Sequence, residues 1–148
     1  MKALILTVLI FVASDPSSAQ HAKKIIRPFL TTDSIESVLD GCACRLSAHK
    51  TNRRYIFIST IDGTKAWMNI AGQVSELTLA RTAESDSIQQ GIVRIYKGGT
   101  VIVRITIKRI QLTKSPRPET DGYPIRATVN VKMGSRTETA KISGWCGC

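Results

Sequence analysis

The chain has 148 residues, a formal net charge of +10 and four cysteines. That length suits one domain with a real hydrophobic core, and no stretch is apolar for the roughly 20 residues that a membrane-spanning helix needs. The charge argues for long-range attraction to anions and carries no information about the fold.

Residues 1–20 read as a removable signal peptide. Lys2 supplies the charge, residues 3–12 (ALILTVLIFV) the apolar run, and Ser17-Ser18-Ala19 a small-residue cleavage site before Gln20. No cysteine stands at that site, so a lipoprotein anchor is not indicated. Removal takes away Lys2 and Asp15 and leaves the charge at +10. The expected product is exported, periplasmic or secreted, with a single domain over residues 21–148.

Residues 20–31 (QHAKKIIRPFLT) suggest a mobile arm or an added edge segment. Residues 32–40 (TDSIESVLD) form the one helix candidate. Asp33 and Glu36 resemble a capping box, Ile35, Val38 and Leu39 share a face, and Gly41 suits the stop. Two turns are marginal alone, so the helix is expected to pack as a lid on one end of the sheet.

From Cys42 the pattern becomes strand-like. Residues 54–61 (RYIFISTI) are β-branched and aromatic, Asp62-Gly63 is a hairpin turn signal, and residues 64–70 return as the partner strand. Ala71-Gly72-Gln73 turns into residues 74–83, followed by an acidic loop over 84–90. Residues 91–97 and 100–113 flank Gly98-Gly99, with Val101, Val103, Ile105 and Ile107 on one face. The alternation slips near Lys108-Arg109, which predicts a β-bulge there. Residues 114–124 hold three prolines and read as a loop. Over residues 125–133, Ile125, Ala127, Val129 and Val131 alternate with polar neighbours, and a turn over 133–136 leads into residues 137–148. About eight short strands joined by hairpin turns predict an all-β fold, an antiparallel β-barrel or sandwich with one short N-terminal helix.

The cysteines form two Cys-x-Cys pairs, Cys42/Cys44 and Cys146/Cys148. Residues i and i+2 of a strand point to one face, so two such strands can be joined twice. Antiparallel neighbours would pair Cys42 with Cys148 and Cys44 with Cys146, parallel neighbours the reverse. One bridge over a loop of about 100 residues stabilises by ~4.7 kcal/mol in the chain-entropy model, and a nested second bridge adds much less. Two bridges exceed what stability requires, which leaves metal binding (zinc or copper) or a redox role for the four sulfurs as the alternative. Zinc knuckles space their cysteines more widely and redox pairs use Cys-x-x-Cys, so structural disulfides lead in an exported chain.

Arg94, Arg104, Lys108, Arg126 and Lys132 fall on polar-facing strand positions, with Lys97 and Arg109 near the turn and the expected bulge. Such a cluster suits an anionic ligand or an acidic protein. The aromatics are few and show no stacking pattern among the basic residues, which argues against nucleic acid. The competing reading is that outward strand positions are ordinarily charged and that Lys and Arg guard edges.

Nothing points to an enzyme. His21 and His49 are the two histidines, the carboxylates are scattered, and no nucleophile, zinc-protease or phosphate-loop motif is present.

The stretches Trp67-Met68-Asn69-Ile70-Ala71-Gly72, Val74-Ser75-Glu76-Leu77 and Gly144-Trp145-Cys146-Gly147-Cys148 resemble a type of small bacterial exported β-rich protein. In that type, a Cys-x-Cys, an Asn-x-x-Gly…Leu turn and a terminal Gly-x-Cys-Gly-Cys frame the domain. The resemblance covers most of residues 41–148 and implies an all-β exported domain without an assigned activity. The chain is also faintly similar to small barrels that inhibit lysozyme. Most lysozymes are cationic, so a charge of +10 departs from that pattern. The expectation is thus an exported, non-catalytic module that presents a basic strand face to an anionic envelope partner.

Overall fold

The computed structural model describes residues 24–48, 54–84, 91–110 and 122–148. The signal peptide expected over 1–20, His21, His49, the acidic loop expected beyond Glu84 and most of the expected proline-rich loop lie outside the described residues.

Among the described residues, nine strands and one helix follow in chain order: β1 (Ile26–Arg27), α1 (Asp33–Leu39), β2 (Ala43–Ser47), β3 (Phe57–Thr60), β4 (Lys65–Ile70), β5 (Gln73–Glu84), β6 (Ile92–Gly98), β7 (Val101–Arg109), β8 (Gly122–Met133) and β9 (Arg136–Gly147). Every pairing is antiparallel, in the order β1-β4-β3-β2-β9-β8-β7-β6-β5, and a further β4–β5 pairing closes the ring. Strands β2 to β9 make an eight-stranded antiparallel barrel. Closure leaves no open sheet edge along most of its circumference.

Turn chemistry sets the registers. Ala71-Gly72, Gly99-Thr100 and Gly134-Ser135 are two-residue connections whose first or both residues have positive φ (Ala71 57°, Gly72 104°, Gly99 58°, Gly134 60°). Turns of that hand match the twist of the flanking strands. The Asn69 side-chain oxygen accepts the Gly72 N–H at 2.9 Å, so the Asn-x-x-Gly stretch fastens the β4–β5 turn.

The alternation expected over β7 and β8 is present. Val103, Ile105, Ile125, Val129 and Val131 have no exposed surface and Ala127 is nearly buried. They meet Leu46, Phe57, Met68, Leu77 and Tyr96 in the main core, where Phe57 and Tyr96 pack edge to face at 5.5 Å. Such an aromatic pair contributes about 0.5–1.5 kcal/mol beyond its area burial.

Four local expectations are corrected. The helix does not sit on an end of the sheet. Ile35 and Leu39 pack with Ile58, Trp67 and Ala43, residues that alternate with core-facing ones, so α1 covers the outer wall of β2, β3 and β4. Val38 remains exposed, because the i, i+4 pair Ile35/Leu39 spans the contact. Nor is there a capping box: the N-cap is Thr32, with no side-chain cap bond, and Glu36 reaches Arg45 of β2 instead, at 2.8 Å. The bulge is not at Lys108-Arg109, since the β7–β8 ladder runs unbroken to Arg109↔Ile125 and β7 then ends, while a register shift occurs in β5 between Leu79 and Arg81. That shift bends the strand as it passes from β4 to β6. Finally, the strand expected over 54–61 is only Phe57–Thr60, preceded by an isolated bridge between Tyr55 and Phe29.

The N-terminal arm is the added edge segment. Ile26 and Arg27 pair with Ile70 and Asn69 of β4, on the side that short β3 leaves open beyond Trp67. No described helix is long and apolar enough to cross a membrane.

Candidate functional site

The four cysteines join as Cys42–Cys148 and Cys44–Cys146, each with Cα atoms 4.0 Å apart. This is the antiparallel solution: Ala43↔Gly147 and Cys44↔Cys146 are direct register partners of β2 and β9. Cys44 and Cys146 are buried in the barrel core, and Cys42–Cys148 lies one step on, toward the chain terminus. The glycine before Trp145 also has a cause, since a side chain at Gly144 would collide with the Arg45 carbonyl. All four sulfurs are consumed in bridges, and a metal site on them would need thiolates. Two disulfides are consistent with an oxidising compartment outside the cytoplasm.

The seven basic candidates do not all share one surface. Lys97, Arg104, Lys108, Arg126 and Lys132 are exposed on one outer face of β6, β7 and β8. Arg94 does not join them. It shares a face of β6 with buried Tyr96 and stands opposite buried Ile105, so it turns to the inside of the barrel. Its guanidinium packs where a side chain at Gly63 would be, under the β3–β4 turn. The Tyr96 hydroxyl donates to the Gly63 carbonyl at 2.9 Å beside it. Burial pushes the Tyr96 phenol up, and the charge of Arg94 opposes that shift. The outward position expected for Arg94 is thus corrected, since polarity alone does not reveal strand parity. Tyr96, two residues on, carries the inward anchor. Arg109 ends β7 opposite Ile125.

The registers arrange the outer face into rows. Lys97, Ile102, Lys132 and Thr137 lie across β6 to β9, then Ile95, Arg104, Asn130 and Thr139. The next rows are Thr106, Thr128 and Lys141, and Lys108, Arg126 and Ser143, across β7, β8 and β9. Strands are about 4.8 Å apart and alternate residues about 6.7 Å along a strand. The last two rows therefore pack three cations and three hydroxyls into one block. They line an open depression of ≈340 Å³ whose floor is formed at Ala127 and Ile142.

Lys141 was missed at the sequence level. Its signal was the Gly134-Ser135 turn: counting back from it on both strands places Lys141 opposite Thr128, on the polar face.

No described carboxylate interrupts this face. Glu36 pairs with Arg45 and Glu76 with Lys65, at 2.8 and 3.1 Å. Burial raises the Glu36 carboxyl, but the Arg45 hydrogen bond and charge, with the Thr31 hydroxyl, prevail and leave it lowered. Asp62 is engaged in the β3–β4 turn by Thr60 and Thr64. Glu138, on β9, is turned to β1, where it accepts the N–H groups of Ile25 and Ile26. Among the described residues, Lys108, Arg126 and Lys141 make no ion pair.

Beside the block, Trp145 is 39% exposed on the same outer face of β9, two residues beyond Ser143. Its five-membered ring rests over Gly122, where any side chain would collide with the indole Nε1 and Cε2. In comparisons with known proteins, no family model, curated protein or solved structure matches this chain.

Proposed function

We propose that the protein is an exported, non-catalytic binding module whose basic outer face on β6 to β9 holds an anionic partner at the cell envelope. The signal peptide read over residues 1–20 supports export, as do the two disulfides. The observation that carries the reading is the single sign of the face: Lys97, Arg104, Lys108, Arg126, Lys132 and Lys141 share it with no described carboxylate. A merely solvated strand face mixes signs or pairs them, as Lys65 and Glu76 do on β4 and β5. Like charges held this close repel one another, and an anion relieves that repulsion. Because the cations extend over several strands, the partner is a polyanion rather than a single ion.

The test is binding of the mature, oxidised protein to inorganic polyphosphate, polygalacturonate and anionic vesicles across a salt series. Affinity for at least one polyanion should fall steeply with salt. It should be lost when Arg104, Lys108, Arg126 and Lys132 are changed together to Gln, and kept in Arg94→Gln, whose side chain lies inside. Retained binding in the fourfold variant, or no binding to any of the three, overturns the proposal.

A further inference from the structure

We infer that the anionic partner is an acidic glycan, with its charged groups held over Lys108, Arg126 and Lys141 and a neighbouring sugar ring stacked on Trp145. The inference rests on the anion-binding reading above and narrows it to a ligand class.

Two independent features meet on one surface. The first is the chemistry of the depression. Its cations come with the hydroxyls of Thr106, Thr128 and Ser143, so the site offers both charge and neutral hydrogen-bonding groups. A bare polyanion such as polyphosphate uses only the cations. A carbohydrate bearing carboxylate, phosphate or sulfate groups uses both, because its own hydroxyls exchange hydrogen bonds with those of the protein.

The second is Trp145. Of the two tryptophans in the chain, Trp67 is buried beneath α1 while Trp145 stays 39% exposed. A single exposed apolar side chain is ordinary, and Ile102 of β7 is 41% exposed; what sets Trp145 apart is a flat aromatic face beside the cations. Gly122 leaves the space in which the indole settles against the sheet. A settled indole loses little conformational freedom on binding, which suits an aromatic platform for a flat, C–H-lined sugar face. Lys141, Ser143 and Trp145 alternate along the outer side of β9, so cation and ring are about 13 Å apart along the strand. An oligosaccharide reaches across that span and an isolated phosphate does not. A lipid surface is the less favoured occupant, because the indole lies against Gly122 instead of projecting, and its cross-strand partners are Pro124 and the ion-paired Arg45, with Ser143 next along its own face.

The experiment titrates the full mature protein with defined oligogalacturonates, inorganic polyphosphate, neutral dextran and anionic phospholipid vesicles, reading affinity and tryptophan emission. Trp67 provides a constant background. Oligogalacturonate should bind with a shift in emission. Trp145→Ala should weaken it on the order of fivefold or more, Trp145→Phe should restore most of that loss, and Lys141→Gln should weaken it as well. Polyphosphate binding should not respond to Trp145→Ala. Circular dichroism of each variant checks that the barrel is intact. Equal loss in Trp145→Phe and Trp145→Ala, or oligogalacturonate binding that is indifferent to Trp145, overturns the glycan inference and leaves the anion-binding module standing. Vesicle binding with a blue-shifted emission, in the absence of oligogalacturonate binding, overturns it in favour of a lipid surface. No binding to any charged probe removes both readings.

Discussion

The Glu138 carboxylate accepts the backbone N–H of Ile25 at 2.6 Å across 113 residues of sequence, and that of Ile26 at 3.3 Å. Among the described residues, β2 pairs with β9 over Ser143–Gly147 of the latter and not with its other end. The N-terminal segment fills the gap, pairing with β4 on one side and tied by Glu138 to β9 on the other. Ile25 and Ile26 are 2% and 1% exposed, which seals that part of the wall with apolar side chains.

Replacing Glu138 by Ala should therefore loosen one segment. It removes a charged acceptor from two N–H groups, a loss of about 1.5–3 kcal/mol for such hydrogen bonds. Amide hydrogen exchange should accelerate at Ile25 and Ile26 while β7 and β8 stay protected, and the denaturation midpoint should fall. Unchanged exchange at those two amides would mean that the pairing with Ile70 and Asn69 holds β1 by itself.

The two disulfides should be strongly redundant. Cys42–Cys148 and Cys44–Cys146 span 106 and 102 residues, one nested inside the other. Removing the outer bridge with Cys42→Ser and Cys148→Ser leaves the long loop closed, so stability should drop by well under ~2 kcal/mol. Removing both should cost about 4–5 kcal/mol in the chain-entropy model. Denaturant unfolding of the single-bridge and no-bridge proteins checks this, with intact mass before and after thiol alkylation to count the bridges. Equal costs for the two steps would refute redundancy.

Ala71 has φ of 57° in the β4–β5 turn. A left-handed backbone costs a residue with a Cβ about 1–2 kcal/mol, and glycine avoids that cost but loses more chain entropy on folding. Ala71→Gly should thus stabilise by about 0.5–1 kcal/mol, read as a rise in melting temperature with no change in the salt dependence of polyanion binding.

The Asp62 carboxyl is held below the ordinary range by the Thr60 hydroxyl, then the Thr64 N–H, with the charge of Arg94 adding to them and slight burial opposing. A carboxyl lowered on folding stabilises the native state above its unfolded pKa of 3.8, and that contribution disappears as pH falls through the lower folded value. Stability should drop from about pH 4 downward, and Asp62→Asn should flatten this acid limb while losing little at pH 7, because the group is exposed. Urea midpoints between pH 2.5 and 7 test the slope, and an unchanged acid limb in Asp62→Asn would exclude this carboxyl as its source.

The sequence by itself determined the all-β class, the hairpins and the inward residues of β7 and β8. Those follow from period-two alternation and glycine-bearing turns, both of which are local. It also narrowed the cysteines to two pairings, since two residues of a Cys-x-Cys share a strand face. The tertiary structure decided what depends on which strands become neighbours. Meeting of β2 and β9 in antiparallel register selected Cys42–Cys148 and Cys44–Cys146. Packing against Ile58 and Trp67 drew α1 onto the barrel wall, and the adjacency of Arg45 took Glu36 away from the helix end. Arg94 turns inward because a long cationic side chain can lie within the barrel under the Gly63 turn, a contact made 31 positions away in the chain. Lys141 and Trp145 joined Lys108 and Arg126 only when β9 paired with β8, because a binding face on a barrel is assembled across strands, and hydrophobic periodicity within one strand carries no record of the strand beside it.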